Sequence, residues 1–318
     1  MPTPIPIPAP SRADRIAGGL LGLLVGDALG VPYEFRPPDR VPAPERIEFD
    51  PPQGYSRAHV GVPAGTYSDD GAQALCLLAS LLDSGRFDPE DLGRRLVAWY
   101  DEGYMAVDGV VFDVGIQTSQ SLGRLKAGAA ALQAGLADER TNGNGSLMRV
   151  LPLALWHQGT DAELAADARA QSRVTHGHVR SQLCCALYCL WGRRVLDGSA
   201  NPWHEAAATL RGLLQGEPAA MLELDTTIRP DHPAEPTGRG YVVDTLISAH
   251  RAAAAADYET AVKAAVALGH DTDTTAAVTG GIAGTHHGRA GIPARWIAGL
   301  RGRELYEPLL DRLLTHAV

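Results

Sequence analysis

Aromatic residues make up only 6% of this 318-residue chain, and strand-like alternation of polar and apolar residues is scarce, which argues against a sheet-built fold. Cysteine is also sparse. Cys76, Cys184, Cys185 and Cys189 form no CxxC pair, and three of them crowd one apolar stretch. That excludes a disulfide framework and reads as reduced core residues of a cytoplasmic protein. No charge-free apolar run of about 18 residues occurs, so no membrane span is expected. No Lys/Arg-rich block appears, and the formal net charge of -9 disfavours nucleic acid as a partner. Internal repeats and linkers are lacking too.

The composition is rich in Ala and Leu, which favours packed helices, and 45% hydrophobic residues suffice for a large core. The expected fold is all-α: a single compact orthogonal multi-helix domain over residues 11–318. Residues 1–10, MPTPIPIPAP, have neither the basic start nor the apolar centre of a signal peptide, and read as a disordered or extended Pro-rich arm.

The chain is organised around a late stretch. An Ala-rich helical run ends at Gly269, and His270-Asp271-Thr272-Asp273-Thr274 follows before a second apolar run. Two acids among threonines between apolar segments are costly to shelter without a partner. Asp carboxylates and Thr hydroxyls are ligands for hard cations, whereas a helix cap requires only one of the acids. A second oxygen-rich cluster, Ser68-Asp69-Asp70, opens an apolar helix about 200 residues earlier. Neither cluster has the glycine and terminal acid of an EF-hand. If the two helix starts meet, four carboxylates would repel one another, and two divalent ions would neutralise them.

Residues 12–30 place Gly18, Gly19, Gly22 and Gly26 in a helix, where they are tolerable only against a closely packed backbone. Asp27 reads as a cap or turn acid and Glu34, by itself, as a solvated loop residue. Residues 36–65 form a long Pro/Gly-rich loop, of the kind more often functional than idle. In the turn Thr141-Asn142-Gly143-Asn144-Gly145-Ser146-Leu147-Met148-Arg149 the glycines permit close approach, and the amides and hydroxyl offer donors to a phosphate or ribose. It is neither a dinucleotide fingerprint nor a P-loop. Thr175-His176-Gly177-His178 lacks a third soft ligand for zinc. Residues 216–239 form a polar surface loop or lid. Tyr241 either stacks on a base or staples a helix start to the core, the second being favoured from the residue alone.

Taken together, these motifs resemble the ADP-ribosylglycohydrolase family over nearly the whole chain. The resemblance runs through Gly26-Asp27-Ala28-Leu29-Gly30, Glu34, Tyr67-Ser68-Asp69-Asp70, Gly143 to Arg149, Thr175-His176, Gly240 to Asp244 and Asp271 to Thr274. It implies an all-α fold with a dinuclear Mg²⁺ (or Mn²⁺) site held by Ser68, Asp69, Asp70, Asp271, Asp273 and Thr274. Glu34 then matches an acid beside the metals and the reacting ribose. Asn144, Gly145, Met148 and His176 match holders of the diphosphate and distal ribose, with Gly115 also contacting ligand. Thr141, Asn142, Ser146 and Tyr241 complete the expected substrate-binding set. Two positions depart from the family pattern. Gly71 replaces a hydroxyl residue, and His270 stands where glycine is common.

The implied activity is hydrolysis at the anomeric carbon of ADP-ribose carried by a protein side chain, of the arginine or serine type, with Glu34, Asp69, Asp70 and Asp271 in catalytic roles. The alternatives are a hydrolase of small ADP-ribose derivatives (an O-acetyl ester or a 1″-phosphate), an ADP-ribose reader without turnover, and a purely structural helical protein.

Overall fold

The structure, a computed structural model, describes residues 9–316; most of the expected N-terminal arm, residues 1–8, lies outside them. The elements are α1 (Arg12–Gly30), α2 (Asp69–Ser84), α3 (Pro89–Glu102), α4 (Ile116–Lys126), α5 (Ala131–Ala134), α6 (Leu151–Trp156), α7 (Asp161–Arg173) and α8 (Val179–Leu196). They continue with α9 (Pro202–Leu213), α10 (Pro218–Glu223), α11 (Val242–Ala252), α12 (Tyr258–Ala267), α13 (Thr272–His287), α14 (Ala294–Gly299) and α15 (Arg303–His316). Among the described residues there is no strand, only two isolated bridges, Leu136 with His176 and Gly143 with Tyr241. One continuous hydrophobic core joins these helices into a single domain.

The centre of that core is the antiparallel pair α1 and α13. Gly18, Gly22, Gly26 and Gly30 recur every fourth residue, so they lie along one face of α1. A methyl group on Gly22 would sit 2.3 Å from the Gly280 carbonyl oxygen, and one on Gly26 would sit 2.1 Å from that of Ala276. The fit is reciprocal, because a methyl on Gly280 would lie 2.2 Å from the Gly22 carbonyl oxygen. The two backbones are therefore in direct contact, which only residues without a Cβ allow. Gly19 differs from its neighbours, since it faces the side chains of Thr285 and Leu155.

Together with the turn that follows it, α1 (Arg12–Tyr33, mean hydropathy 1.5) is long and apolar enough to cross a membrane, although its sequence contains Asp27. The apolar stretch is wholly buried within the domain, so its hydropathy is that of a core helix. The C-terminal segment forms two helices, α14 and α15, separated by Leu300 to Gly302. The 216–239 segment carries α10 and one wide turn, Leu224–Ile228, before it becomes irregular.

Candidate active site

The α1/α13 pairing determines where the acids meet. Antiparallel packing sets the C-terminal end of α1 beside the first turn of α13. A methyl on Gly30 would lie 2.3 Å from the Asp273 Cα, so this glycine admits the acid-bearing turn. Thr272 Oγ1 also donates to the Gly30 carbonyl at 2.8 Å. From the same end of α1, Asp27 reaches the start of α2, accepting from the Ser68 N–H at 2.9 Å and the Gly71 N–H at 2.7 Å. Asp27 is thus a cap, but for a different helix from its own. Burial pushes its carboxyl up to about 7, against the lowering effect of the Ser68 and Gly71 N–H bonds.

The N-termini of α2 and α13 consequently converge. Thr274 Oγ1 donates to Asp70 Oδ1 at 3.3 Å, and Asp273 Oδ1 accepts from the Thr274 N–H at 2.8 Å. Asp70 Oδ2 and Asp273 Oδ2 are buried and have no hydrogen-bond partner. Burial first, and then the neighbouring carboxylates, push Asp69, Asp70 and Asp273 well above the ordinary carboxylate range. Orphaned anionic oxygens are expensive in a protein interior unless a cation pairs with them. An all-oxygen donor set of carboxylates and hydroxyls suits a hard divalent ion. The residues present therefore fit such a group.

Glu34 is buried, contrary to the solvated position its sequence context favours. It lies in a group with Asp271 and Asp273 whose carboxylate oxygens are within 4.8 Å of one another. Its Oε2 lies 2.5 Å from His59 Nε2. Burial, then the charges of Asp113, Asp271 and Asp69, push its carboxyl up to about 11. His59 and Asp113 are members of the cluster that the sequence reading did not identify. Asp113 Oδ1 lies 3.9 Å from His59 Nε2. The available signals were an isolated acid within Val110-Val111-Phe112-Asp113-Val114 and a histidine in the long 36–65 loop.

A cavity of about 260 Å³ opens from the acids. Glu34, Asp69, Asp113, Asp271 and Thr274 form one end of it. Gly115, the first turn of α4 (Ile116 to Thr118), Gly143 to Gly145, Met148, His176 and Gly240 form the rest. Ser68, Asp70 and Asp273 are buried and do not line it. Asn144 Nδ2 donates to Asp271 Oδ2 at 2.7 Å and to Thr245 Oγ1 at 2.9 Å, tying the Gly/Asn turn to α13 and α11.

Four expected substrate contacts fall outside this lining. The Ser146 hydroxyl is buried against Ser172 Oγ at 2.9 Å. Asn142 is used internally, accepting from Ser181 Oγ at 3.0 Å, and Thr141 Oγ1 donates to the Asp138 carbonyl at 2.6 Å. Tyr241 is not the core staple that was favoured. It stands exposed with the Arg180 guanidinium 5.9 Å from its ring centre, and Glu223 pairs with that arginine. Turn residues of this type bind their own backbone as readily as a ligand, so the sequence alone does not separate the two uses.

Behind the cavity lies Arg149, fully buried. Its Nη1 donates to Gln73 Oε1 at 3.0 Å, and Gln73 Nε2 donates to Asp69 Oδ2 at 3.0 Å. Its Nη2 donates to Thr175 Oγ1 at 2.8 Å, and that hydroxyl is 2.8 Å from His176 Nδ1. One guanidinium thus holds both the acidic end and the histidine wall. Burial lowers Arg149 to about 10, so it remains a cation at neutral pH. Burial, and then the Arg149 charge, lower His176 to about 3, so its ring is neutral.

A buried acid cluster at two helix N-termini, continuous with a Gly/Asn-lined cleft, defines the class. The chain belongs to the ADP-ribosylglycohydrolase family, whose model matches residues 8–318, and it is accordingly a hydrolase of glycosyl bonds. It is similar to the ADP-ribosylarginine hydrolase Tri1 of Pseudomonas putida, with 31% identity over 96% of this chain and 79% of that protein. It also resembles the ADP-ribosyl-[dinitrogen reductase] glycohydrolase of Rhodospirillum rubrum, at 28% identity over 92% of each. Among solved structures, a chain of an ADP-ribosylglycohydrolase-related protein complex superposes with a TM-score of 0.75 at 34% identity, covering 97% of this chain and 99% of that one.

Proposed function

We propose that this protein hydrolyses the bond between the anomeric carbon of ADP-ribose and an arginine side chain of a modified protein, with two divalent cations, Mg²⁺ or Mn²⁺, as cofactors. The observation that carries the metal-dependent reading is the pair of orphaned oxygens, Asp70 Oδ2 and Asp273 Oδ2, where two helix starts meet. Ser68, Asp69, Asp70, Asp271, Asp273 and Thr274 would hold the ions. The chemistry such ions supply is polarisation of ribose oxygens and a lowered water pKa. The arginine-type acceptor is supported by the similarity to the ADP-ribosylarginine hydrolases of Pseudomonas putida and Serratia proteamaculans.

In this reading the diphosphate lies along the first turn of α4, whose free N–H groups favour an anion, and against Gly143 to Gly145. A methyl on Gly145 would lie 2.9 Å from His176 Cε1, so that glycine keeps the wall open beside the histidine. Asn144 holds Asp271, and Met148 with neutral His176 closes the distal side. Glu34, which would be ionised once divalent cations offset the neighbouring carboxylates, takes a proton from the attacking water. The hydroxyl ends on the anomeric carbon as its bond to the guanidine nitrogen breaks, and the proton ends on the departing guanidine.

The test is release of free ADP-ribose from ADP-ribosylarginine in the presence of Mg²⁺. Turnover is expected in the native protein, to fall about a thousandfold or more in Asp273→Ala, and to vanish after chelation, with the helical circular dichroism retained. Undiminished turnover in metal-stripped protein would overturn the metal-dependent reading. Release from an O-acetyl ester but not from arginine would move the substrate to small ADP-ribose derivatives.

A further inference from the structure

Among the described residues, few large apolar side chains stand in solvent, and several of the strongly exposed ones adjoin residues of the acid cluster or the cavity wall along the chain. Phe35 (64% exposed) follows Glu34, Val60 (88%) follows His59, Val110 (58%) lies on the loop that carries Asp113, and Ile116 (80%) opens α4 at the cavity wall. They lie on separate segments that the Glu34–His59 contact and the shared cavity wall of Glu34, Asp113 and Ile116 bring together. The His59 ring packs between Phe35 and Phe112, 5.5 Å from the first ring and 5.1 Å from the second. Phe35, His59 and Asp113 all hold left-handed backbone, with φ of 60°, 48° and 56°. Each such residue costs about 1–2 kcal/mol, and strain of this kind persists where surrounding packing over-determines it. The rim is thus fixed in place while its apolar side chains face solvent.

We propose that this rim is the docking surface for a folded protein that carries the ADP-ribosylated side chain into the cleft. The proposal rests on the activity proposed above. With ADP-ribose in the cavity, whatever bears it must cross the mouth, and a small derivative would leave Phe35, Val60 and Val110 in water. A folded partner would cover them, which is the usual meaning of clustered exposed apolar residues. Two arginines of the same segments are free to pair with a partner's carboxylates, in a protein of net charge -9. Arg36 donates to the Ser56 carbonyl and hydroxyl oxygens and Arg57 to the Val62 carbonyl, and neither forms an ion pair among the described residues. The partner that fits presents an apolar patch flanked by carboxylates beside its modified residue.

The experiment uses the Mg²⁺-loaded enzyme and a folded protein enzymatically ADP-ribosylated on surface arginines, compared with peptides cut from that same protein. Native enzyme is expected to favour the intact protein by about tenfold in kcat/KM, the scale of one or two interface anchors. The double variant Phe35→Ser/Val60→Ser removes that preference while peptide turnover stays unchanged, and Leu213→Ser, on α9, changes neither rate. Equal use of both forms by native enzyme, or parallel loss of both in the double variant, would overturn the docking surface. Release of ADP-ribose from neither form would overturn the activity itself, and the surface with it.

Discussion

His176 shows what burial does to a single side chain. With its folded-state value lowered to about 3 from 6.5, the native protein resists a proton that the unfolded chain accepts. The unfolded state therefore binds more protons between those values, and stability falls as pH drops from about 6.5 towards 3. One such group contributes a slope of about 1.4 kcal/mol per pH unit in that window. In His176→Asn, urea unfolding followed from pH 7 to pH 4 is expected to show a shallower loss of stability than in the native protein. An unchanged slope would mean that the imidazole takes up its proton in the folded state. His270 is explained at this scale as well. Its φ of 61° is a left-handed conformation that glycine adopts freely and histidine tolerates at a cost, which accounts for glycine as the expected residue there.

Among the elements, α1 was the most legible from sequence, because glycines inside a helix require a close backbone neighbour, whereas the identity of that neighbour, α13, was not. Ser68-Asp69-Asp70 and Asp271-Thr272-Asp273 were legible for a related reason, as two acids exceed what one helix cap needs. Asp113 and His59 were not, since left-handed loop backbone has no periodicity to read. Gln73 and Arg149 were also hidden. Their joining in one buried network with Asp69 leaves no mark in residue spacing. The same logic separates glycines by their surroundings. Gly26→Ala is expected to destabilise the fold by about 3 kcal/mol or more, because its methyl would meet backbone and not a flexible side chain. Gly123→Ala, with nothing within 4 Å of the added carbon, is expected to gain roughly 0.4–1 kcal/mol. Chemical denaturation of the two variants measures the contrast.

Across the whole molecule, the acid cluster joins segments separated by about 200 residues of chain, so any ion bound there ties distant parts of the fold together. A ligand that binds only the folded state stabilises it by mass action, by about 2.7 kcal/mol at a hundred times its Kd. Addition of Mg²⁺ or Mn²⁺ to chelator-treated protein is therefore expected to raise Tm by several degrees. Asp273→Ala is expected to lose that response, and an equal rise in the variant would place the stabilising ion elsewhere.

The pairing of α1 with α13 also has a consequence for synthesis. On the ribosome, α1 meets its backbone partner only after the segment through residue 287 has emerged. At 5–20 residues per second that delay is on the order of 10–50 s. Through that interval the nascent chain displays a segment with the length and hydropathy of a membrane span, without the surface that later buries it. The glycines that make the finished core so close are thus expected to leave the unfinished chain in need of chaperone cover, and profiling of chaperone-bound ribosomes is expected to locate that need between residues 30 and 287.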